Sequence, residues 1–492
     1  VTLVGVLAMT CIAVAIAWPL RGTDLWPLAL PLALALGESG FVQTWNLSID
    51  LPGVPVPIGW TDIVFASLVM AWLLVRRISP VGKPAPRLVH ADLIPLAAWL
   101  ALVAIAVPLA WIDGGAVKIG IAWTVFSYSY VPLCFVLMWD VLRRTSRAAM
   151  WRMLRTLSAV VTVLGAVYIL HMLGLSLYDA AGVNSTYYFA DGIRRDILTF
   201  PVWACVTAPF LLWSERIRLM EGAMLVVQAV AVAVSMTRSL VLSLALAALM
   251  VVVARVVYRR RPLQPLVPAG VALAGLGGLA VVMPGAISRV LDPLASRFDE
   301  LSAGVGSVST IGQRLAVGQR VSSFLSGWSL WMGEGFSDSA VAKSQNNLAQ
   351  LLIADSLWSV VLLHFGIIGA AVVGATLAVG LGAGVVATHL RRAEPFSMAI
   401  VGTAALAWLA ARTVASSEII VNYPIVLAFV LALVTIEARD AWSDVAGARP
   451  MLFERGDAPV MPQWMRTSVL VKLVALAVVI AVEIVLGRMM GK

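Results

Sequence analysis

The chain has 492 residues, of which 61% are hydrophobic and only 12% charged, with a mean hydropathy of +0.94. Soluble domains carry about 25% charged residues, and a soluble globule has no way to hide this much apolar surface. The composition excludes a string of soluble domains, a disordered chain and a disulfide scaffold, and it predicts an all-α, polytopic membrane helix bundle.

A helix needs about 20 mainly apolar residues to cross about 30 Å of hydrocarbon. Runs of that kind lie near residues 3–20, 26–38, 61–75, 92–112, 118–141, 154–174, 197–214, 221–236, 239–258, 265–283, 366–388, 397–415, 418–436 and 467–488. The first lacks a basic start and a convincing cleavage site and reads as a helix rather than a signal peptide. The second is short and rich in Pro and Gly, so about 12–14 crossings are expected. Cys11, Cys134 and Cys205 all sit inside apolar runs and read as packing residues, with no metal-ligand spacing.

Orientation follows from Lys and Arg. The clusters Arg76, Arg77, Lys83 and Arg87; Arg143, Arg144, Arg147, Arg152 and Arg155; Arg255, Arg259, Arg260 and Arg261; and Arg391 and Arg392 alternate onto one side. The positive-inside rule makes that side the cytoplasm. The net charge of +9 belongs to these loops, which pair with anionic membrane lipid, and no nucleic-acid partner is expected.

Two long polar stretches fall on the opposite side. Residues 175–196 carry Asn184, Tyr187, Tyr188, Asp191, Arg194, Arg195 and Asp196. Residues 284–365 form the longer one, and a connection of that length is usually functional. Ile311, Leu315, Val321, Leu325, Trp328 and Trp331 recur near helical spacing, and 339–364 reads as helix. The expected organisation is an N-terminal set of transmembrane helices over 1–283, a helical extracytoplasmic loop over 284–365 and C-terminal helices over 366–492. Residues 437–466 read as a polar cytoplasmic connector.

The chain has no Walker-type glycine loop, and His90, His171, His364 and His389 are scattered without zinc-ligand spacing. The informative residues are charges on the outer side, because a cation at the bilayer is costly and usually serves function or a specific pair. Arg238 lies between two apolar runs in Met236-Thr237-Arg238-Ser239; a snorkelling turn residue is the alternative reading. Arg320 and Arg314 lie in a helical segment whose exposed face would equally accept them. Arg194 and Arg195 adjoin Asp191 and Asp196, which allows a local ion-pair cluster. Several guanidinium forks at one outer mouth suit a pyrophosphate, since each offers bidentate bonds and keeps its charge in a dry site.

The run Arg320 to Gly335, then Asp355-Ser356-Leu357-Trp358, then Gly366-Ile367-Ile368-Gly369, resembles the bacterial O-antigen ligase and polymerase superfamily. In that family a periplasmic Arg helix leads to a Gly-x-Gly turn, here Gly333-Glu334-Gly335. A His-Asn-x-Tyr-Leu or Asp-Asn-x-Tyr-Leu motif follows, with Gly-Leu-Ile-Gly eleven residues after its first position. Counting back from Gly366 reaches Asp355. Thr237-Arg238-Ser239 resembles the family's Ser-Arg turn, and Arg195 is the best match in the polar loop before the seventh span. The chain departs where ligases carry His, with Asp355, and has Ser356 for Asn and Trp358 for Tyr. That substitution leans toward the polymerases.

The resemblance implies transfer of a glycan from a polyprenyl-pyrophosphate donor to a glycan or lipid acceptor on the periplasmic face of the bacterial inner membrane. Neither a nucleotide nor a metal cofactor is needed in principle, and a chain-length regulator is an expected partner. Arg195, Arg238 and Arg320 would hold the pyrophosphate, helped by Arg194 and Arg314. Asp355 would accept the acceptor's proton, Glu334 would orient that acceptor, and Trp358 would line the site; a helix cap or Arg partner is the plainer role for Asp355, and a turn residue for Glu334. A ligase to lipid A–core, a lipid-linked sugar flippase and a cell-wall polymerase of the shape-and-division type are the competing readings. The flippase should show repeated halves or broken helices at the bilayer midplane, and no repeat is visible in the sequence.

Overall fold

A computed structural model describes residues 49–51, 54–58, 96–105, 119–143, 145, 147–170, 186–188, 194–196, 200–214, 219–235, 238–259, 270, 325–335, 357–391, 394, 397–413 and 424–447. In chain order these form β1 (Ile49–Leu51), β2 (Val54–Ile58), α1 (Leu96–Ile105), α2 (Ile119–Leu142), α3 (Arg147–Leu170), β3 (Thr186–Tyr188), β4 (Arg194–Asp196), α4 (Phe200–Trp213), α5 (Leu219–Val234), α6 (Arg238–Arg259), α7 (Trp328–Met332), α8 (Leu357–Leu390), α9 (Ala399–Thr413) and α10 (Pro424–Gly447). The strands make two antiparallel ribbons, β1 with β2 and β3 with β4. Nearly all the rest is helix. Among the described residues α3, Leu240–Tyr258 of α6, and α8 are long and apolar enough to cross a membrane. These helices make the chain a helical membrane protein. The runs near 3–20, 26–38, 61–75 and 467–488, and all of 265–283 but Gly270, lie outside the described residues.

The chain divides into two compact units. One comprises Val1–Ala85, Val136–Gly304 and Ala407–Arg412; the other comprises Pro86–Phe135, Val305–Leu406 and Thr413–Lys492.

In the first unit α3 buries Met150, Met153, Leu154, Leu157, Ser158, Val161, Leu164, Gly165 and Tyr168. That spacing is one face of a helix. Near its end Leu164 and Tyr168 pack on Ala231 and Val234 of α5. The polar centre of the unit is Gln228, only 1% exposed. Its Nε2 donates to the Ser158 carbonyl and to Thr162 Oγ1, both at 3.1 Å, and its Oε1 accepts from Thr207 Oγ1 at 2.8 Å. One side chain thus joins α3, α4 and α5. Between helices in an apolar surrounding, such bonds spare each group an unpaired existence in hydrocarbon.

Charged side chains gather at one end of this unit. Arg255 of α6, buried at 1%, donates Nη1 to the carbonyls of Leu212 at 2.5 Å and Ser214 at 3.0 Å. It thereby caps the last turn of α4, where carbonyls lack intrahelical partners. Arg155 lies 3.9 Å from Glu221. Arg143, which follows α2, pairs with Asp140 and lies 4.4 Å over the Trp139 ring. Arg143, Arg155 and Arg255 therefore lie at one end of the unit.

In the second unit α8 packs on α9 and α10 through a stripe of glycines. A Cβ on Gly380 would come within 2.8 Å of Leu406 and 2.9 Å of Leu431, and one on Gly384 within 2.4 Å of Thr403 Oγ1. Small residues four apart let helix backbones approach closely. At the end of α8, Arg391 and Glu437 are both buried, with Arg391 Nε 3.8 Å from Glu437 Oε2 and Arg391 Nη1 2.6 Å from Glu394 Oε2. Ser397 Oγ also reaches Glu437 Oε2, at 3.4 Å.

This cluster corrects the sequence reading at one point. The first part of the stretch read as a polar connector, residues 437–447, is the continuation of α10, and its first residue, Glu437, is buried. Glu437 is held inside because Arg391 on another helix supplies its counter-charge.

Replacing Gln228 with Met keeps the volume but removes three interhelical bonds. Unfolding in detergent should show a loss of about 1–2 kcal/mol. A variant as stable as the parent would show that the network contributes nothing.

Candidate functional site

Chain direction places the predicted outer residues of the first unit. α3 runs away from the charged end, α4 returns to it at Ser214, α5 leaves it from Glu221, and α6 comes back to it at Arg255. The β3–β4 ribbon, between α3 and α4, and the start of α6 therefore lie at the opposite end. The ribbon sets Arg195 opposite Tyr187 and Arg194 opposite Tyr188. Arg238 is the first residue of α6, just after Ser235, whose Oγ donates to the Val232 carbonyl and closes α5. Three of the arginines singled out in the sequence are thus brought to one end of one bundle.

The second unit holds a joint between two glycine motifs. The short α7 is opened by Gly327, at φ 57°, and by Ser329 Oγ, which accepts from the Ser326 N–H at 3.1 Å. Gly333, at φ 75°, ends it, and its N–H donates to the Ser329 carbonyl at 2.8 Å. The next two amides leave the turn altogether. Glu334 N–H donates to the Leu363 carbonyl at 2.8 Å, and Gly335 N–H to the His364 carbonyl at 3.1 Å.

Those carbonyls need donors because α8 breaks at Gly366, which has φ 62° and ψ −161°. A broken helix leaves the last carbonyls of its first arm without intrahelical partners, and the Gly-x-Gly turn supplies two. His364 returns the contact, with Nδ1 2.7 Å from the Gly335 carbonyl. A carbonyl only accepts, so Nδ1 carries the hydrogen and, in the neutral ring, Nε2 carries the lone pair.

The approach leaves no room for side chains. A Cβ on Gly333 would lie 2.4 Å from the His364 carbonyl carbon and the Phe365 nitrogen; one on Gly366 would lie 2.4 Å from the Trp331 oxygen and 2.5 Å from the Gly333 nitrogen. Beyond the break α8 doubles back. Trp358 and Gly374 are equally far in sequence from Gly366, and a straight helix would hold them about 24 Å apart. Instead a Cβ on Gly374 would touch the Trp358 ring at 3.4 Å, and Gly369 packs against Phe365 and Val361. α8 is a hairpin with a short arm, Leu357 to Phe365, and a long arm to Leu390.

Of the predicted site residues, Glu334 and Trp358 fall in this unit, Glu334 half-buried in the joint and Trp358 on the inside of the hairpin. Arg194, Arg195 and Arg238 lie at the far end of the first unit. Asp355, Arg320 and Arg314 lie outside the described residues. Among the described residues no group of three His, Cys, Asp or Glu side chains could hold a metal ion.

Sequence reasoning passed over His364. Its partner is 29 residues away, so no local spacing could reveal it; its place two residues before a helix-breaking glycine was the available signal. No known protein-family profile matches the chain, and no curated protein matches it.

Gly327, Gly333 and Gly366 share a backbone conformation that costs a side chain about 1–3 kcal/mol. Gly327 has nothing within 4 Å of its Cβ position. Gly327→Ala should show that strain alone. Gly333→Ala and Gly366→Ala should each lose about a further 1–3 kcal/mol from overpacking against backbone. Equal losses at all three positions in unfolding measurements would contradict the joint.

Proposed function

We propose that the chain is a bacterial inner-membrane glycosyltransferase acting on polyprenyl-pyrophosphate-linked glycan at the periplasmic face, and that it polymerises rather than ligates. The observation that carries this reading is the meeting of Gly333-Glu334-Gly335 with Gly366. These are two of the motifs on which the resemblance to the O-antigen ligase and polymerase superfamily rests, and they form one joint. The gathering of Arg194, Arg195 and Arg238 away from the basic end also supports it. The Asp at 355, where ligases carry His, favours polymerisation; transfer to lipid A–core is the second reading on the same chemistry.

The reaction needs three things. The acceptor hydroxyl oxygen attacks the anomeric carbon of the donor glycan, and Asp355 takes the hydroxyl proton. The bond from that carbon to the pyrophosphate oxygen breaks, and polyprenyl pyrophosphate leaves. Arg195, Arg238 and Arg320 stabilise the charge that builds on the leaving oxygens, where preorganised cations contribute most. Glu334 orients the acceptor beside the joint.

The test is transfer by the purified protein in nanodiscs with a polyprenyl-pyrophosphate oligosaccharide. Arg238→Ala and Arg320→Ala should abolish elongation while leaving expression near normal, and Lys should rescue poorly because a point charge does not copy the guanidinium fork. Asp355→Asn should slow turnover by roughly 10²–10⁴ with donor binding little changed, and Asp355→His should retain activity. Full activity in both Arg→Ala variants, or in Asp355→Asn, would defeat the assignment.

A further inference from the structure

The long arm of α8, from Gly366 to Leu390, is about 36 Å of helix, slightly more than the roughly 30 Å hydrocarbon thickness of a bilayer. From Leu357 to Leu390 it contains no Asp, Glu, Lys or Arg. Its far end is marked by His389 and by the Arg391, Glu394 and Glu437 cluster, which belongs at a polar boundary. With that end fixed, the other end of the hydrocarbon falls at the start of the long arm, beside Gly366. The joint therefore sits at the opposite lipid–water boundary.

Non-helical backbone is tolerated at membrane depth only where its polar groups are satisfied by protein. The joint meets that condition, since Glu334 and Gly335 donate to the Leu363 and His364 carbonyls. Its surroundings match the same level. Trp328 is 70% and Trp331 53% exposed, and Ile367 and Ile368, next to the break, are 38% and 39% exposed. Residues 325–333 carry no charge. An exposed Trp is costly in water and favoured in the headgroup zone, where its ring meets apolar chains and its N–H finds a partner.

We propose that Trp328 and Trp331 form a lipid-binding surface, seated in the headgroup–acyl boundary of the leaflet opposite Arg391. This is independent of the glycosyl-transfer reading.

Spin labels at Trp328→Cys and Trp331→Cys test it, in protein with Cys11, Cys134 and Cys205 replaced by Ala, reconstituted into phosphatidylglycerol and phosphatidylethanolamine nanodiscs. Power saturation with oxygen and a nickel chelate reads depth. Val379→Cys and Val385→Cys, on exposed positions of the long arm, give the hydrocarbon reference. Labels at 328 and 331 should give oxygen-to-nickel ratios above that of the free label in buffer and below that at 379. Ratios equal to the free label, or as high as at 379, would overturn the proposal. Ser326→Cys, exposed in the same turn, is the substitute should a Trp variant fail to reconstitute, and the same boundary ratio is expected there.

Discussion

Two backbones meet at Gly333 and Gly366 more closely than any side chain permits, and much of the second unit follows from that approach. The break at Gly366 lets α8 fold into a hairpin instead of running as a rod of about 50 Å. The break also exposes carbonyls, and the Gly-x-Gly turn covers two of them. Each motif explains the other: the turn needs glycine because a helix terminus presses on it, and the helix needs glycine because the turn does. His364, bonded to the carbonyl of Gly335, closes the arrangement with a side chain whose tautomer is set by its partner.

The first unit is held differently. Its helices share an apolar interior with one amide, Gln228, linking three of them, and Arg143, Arg155 and Arg255 sit at the end where α4 is capped by Arg255. This division of labour is what an apolar solvent demands. Gln228 is bonded on both sides of its amide, and the buried Arg255 donates to carbonyls at the end of a helix rather than standing in the apolar interior. The arginines at the other end stand out against that pattern, which is why they carry the functional reading more than any arginine at the basic end.

The helices were legible from hydropathy because crossing the bilayer imposes both length and composition; α3, α4, α5, α6 and α9 fall on the runs read from the sequence. The ribbon at 186–196 was read only as polar loop, since three-residue strands leave no periodic signature. Glu437 was misread because its burial depends on Arg391, a residue on another helix. The glycine motifs were noticed for their resemblance, but their contact was not, because it is made by backbone atoms that no residue pattern encodes. His364 escaped for the same reason. What failed to show in the sequence is what depends on pairs distant along the chain.

The central claim is that the Gly-x-Gly turn is bonded to the end of the short arm of α8. Amide hydrogen exchange in nanodiscs measures this directly, read on overlapping peptides that isolate Gly333, Glu334 and Gly335. Held by the Ser329, Leu363 and His364 carbonyls, those three amides should be protected to the same degree as the interior of α8, although the turn directly follows two exposed tryptophans. Exchange at the rate of an unstructured peptide would mean that the joint does not exist, and the hairpin, the His364 contact and the level assigned to the tryptophans would fall with it.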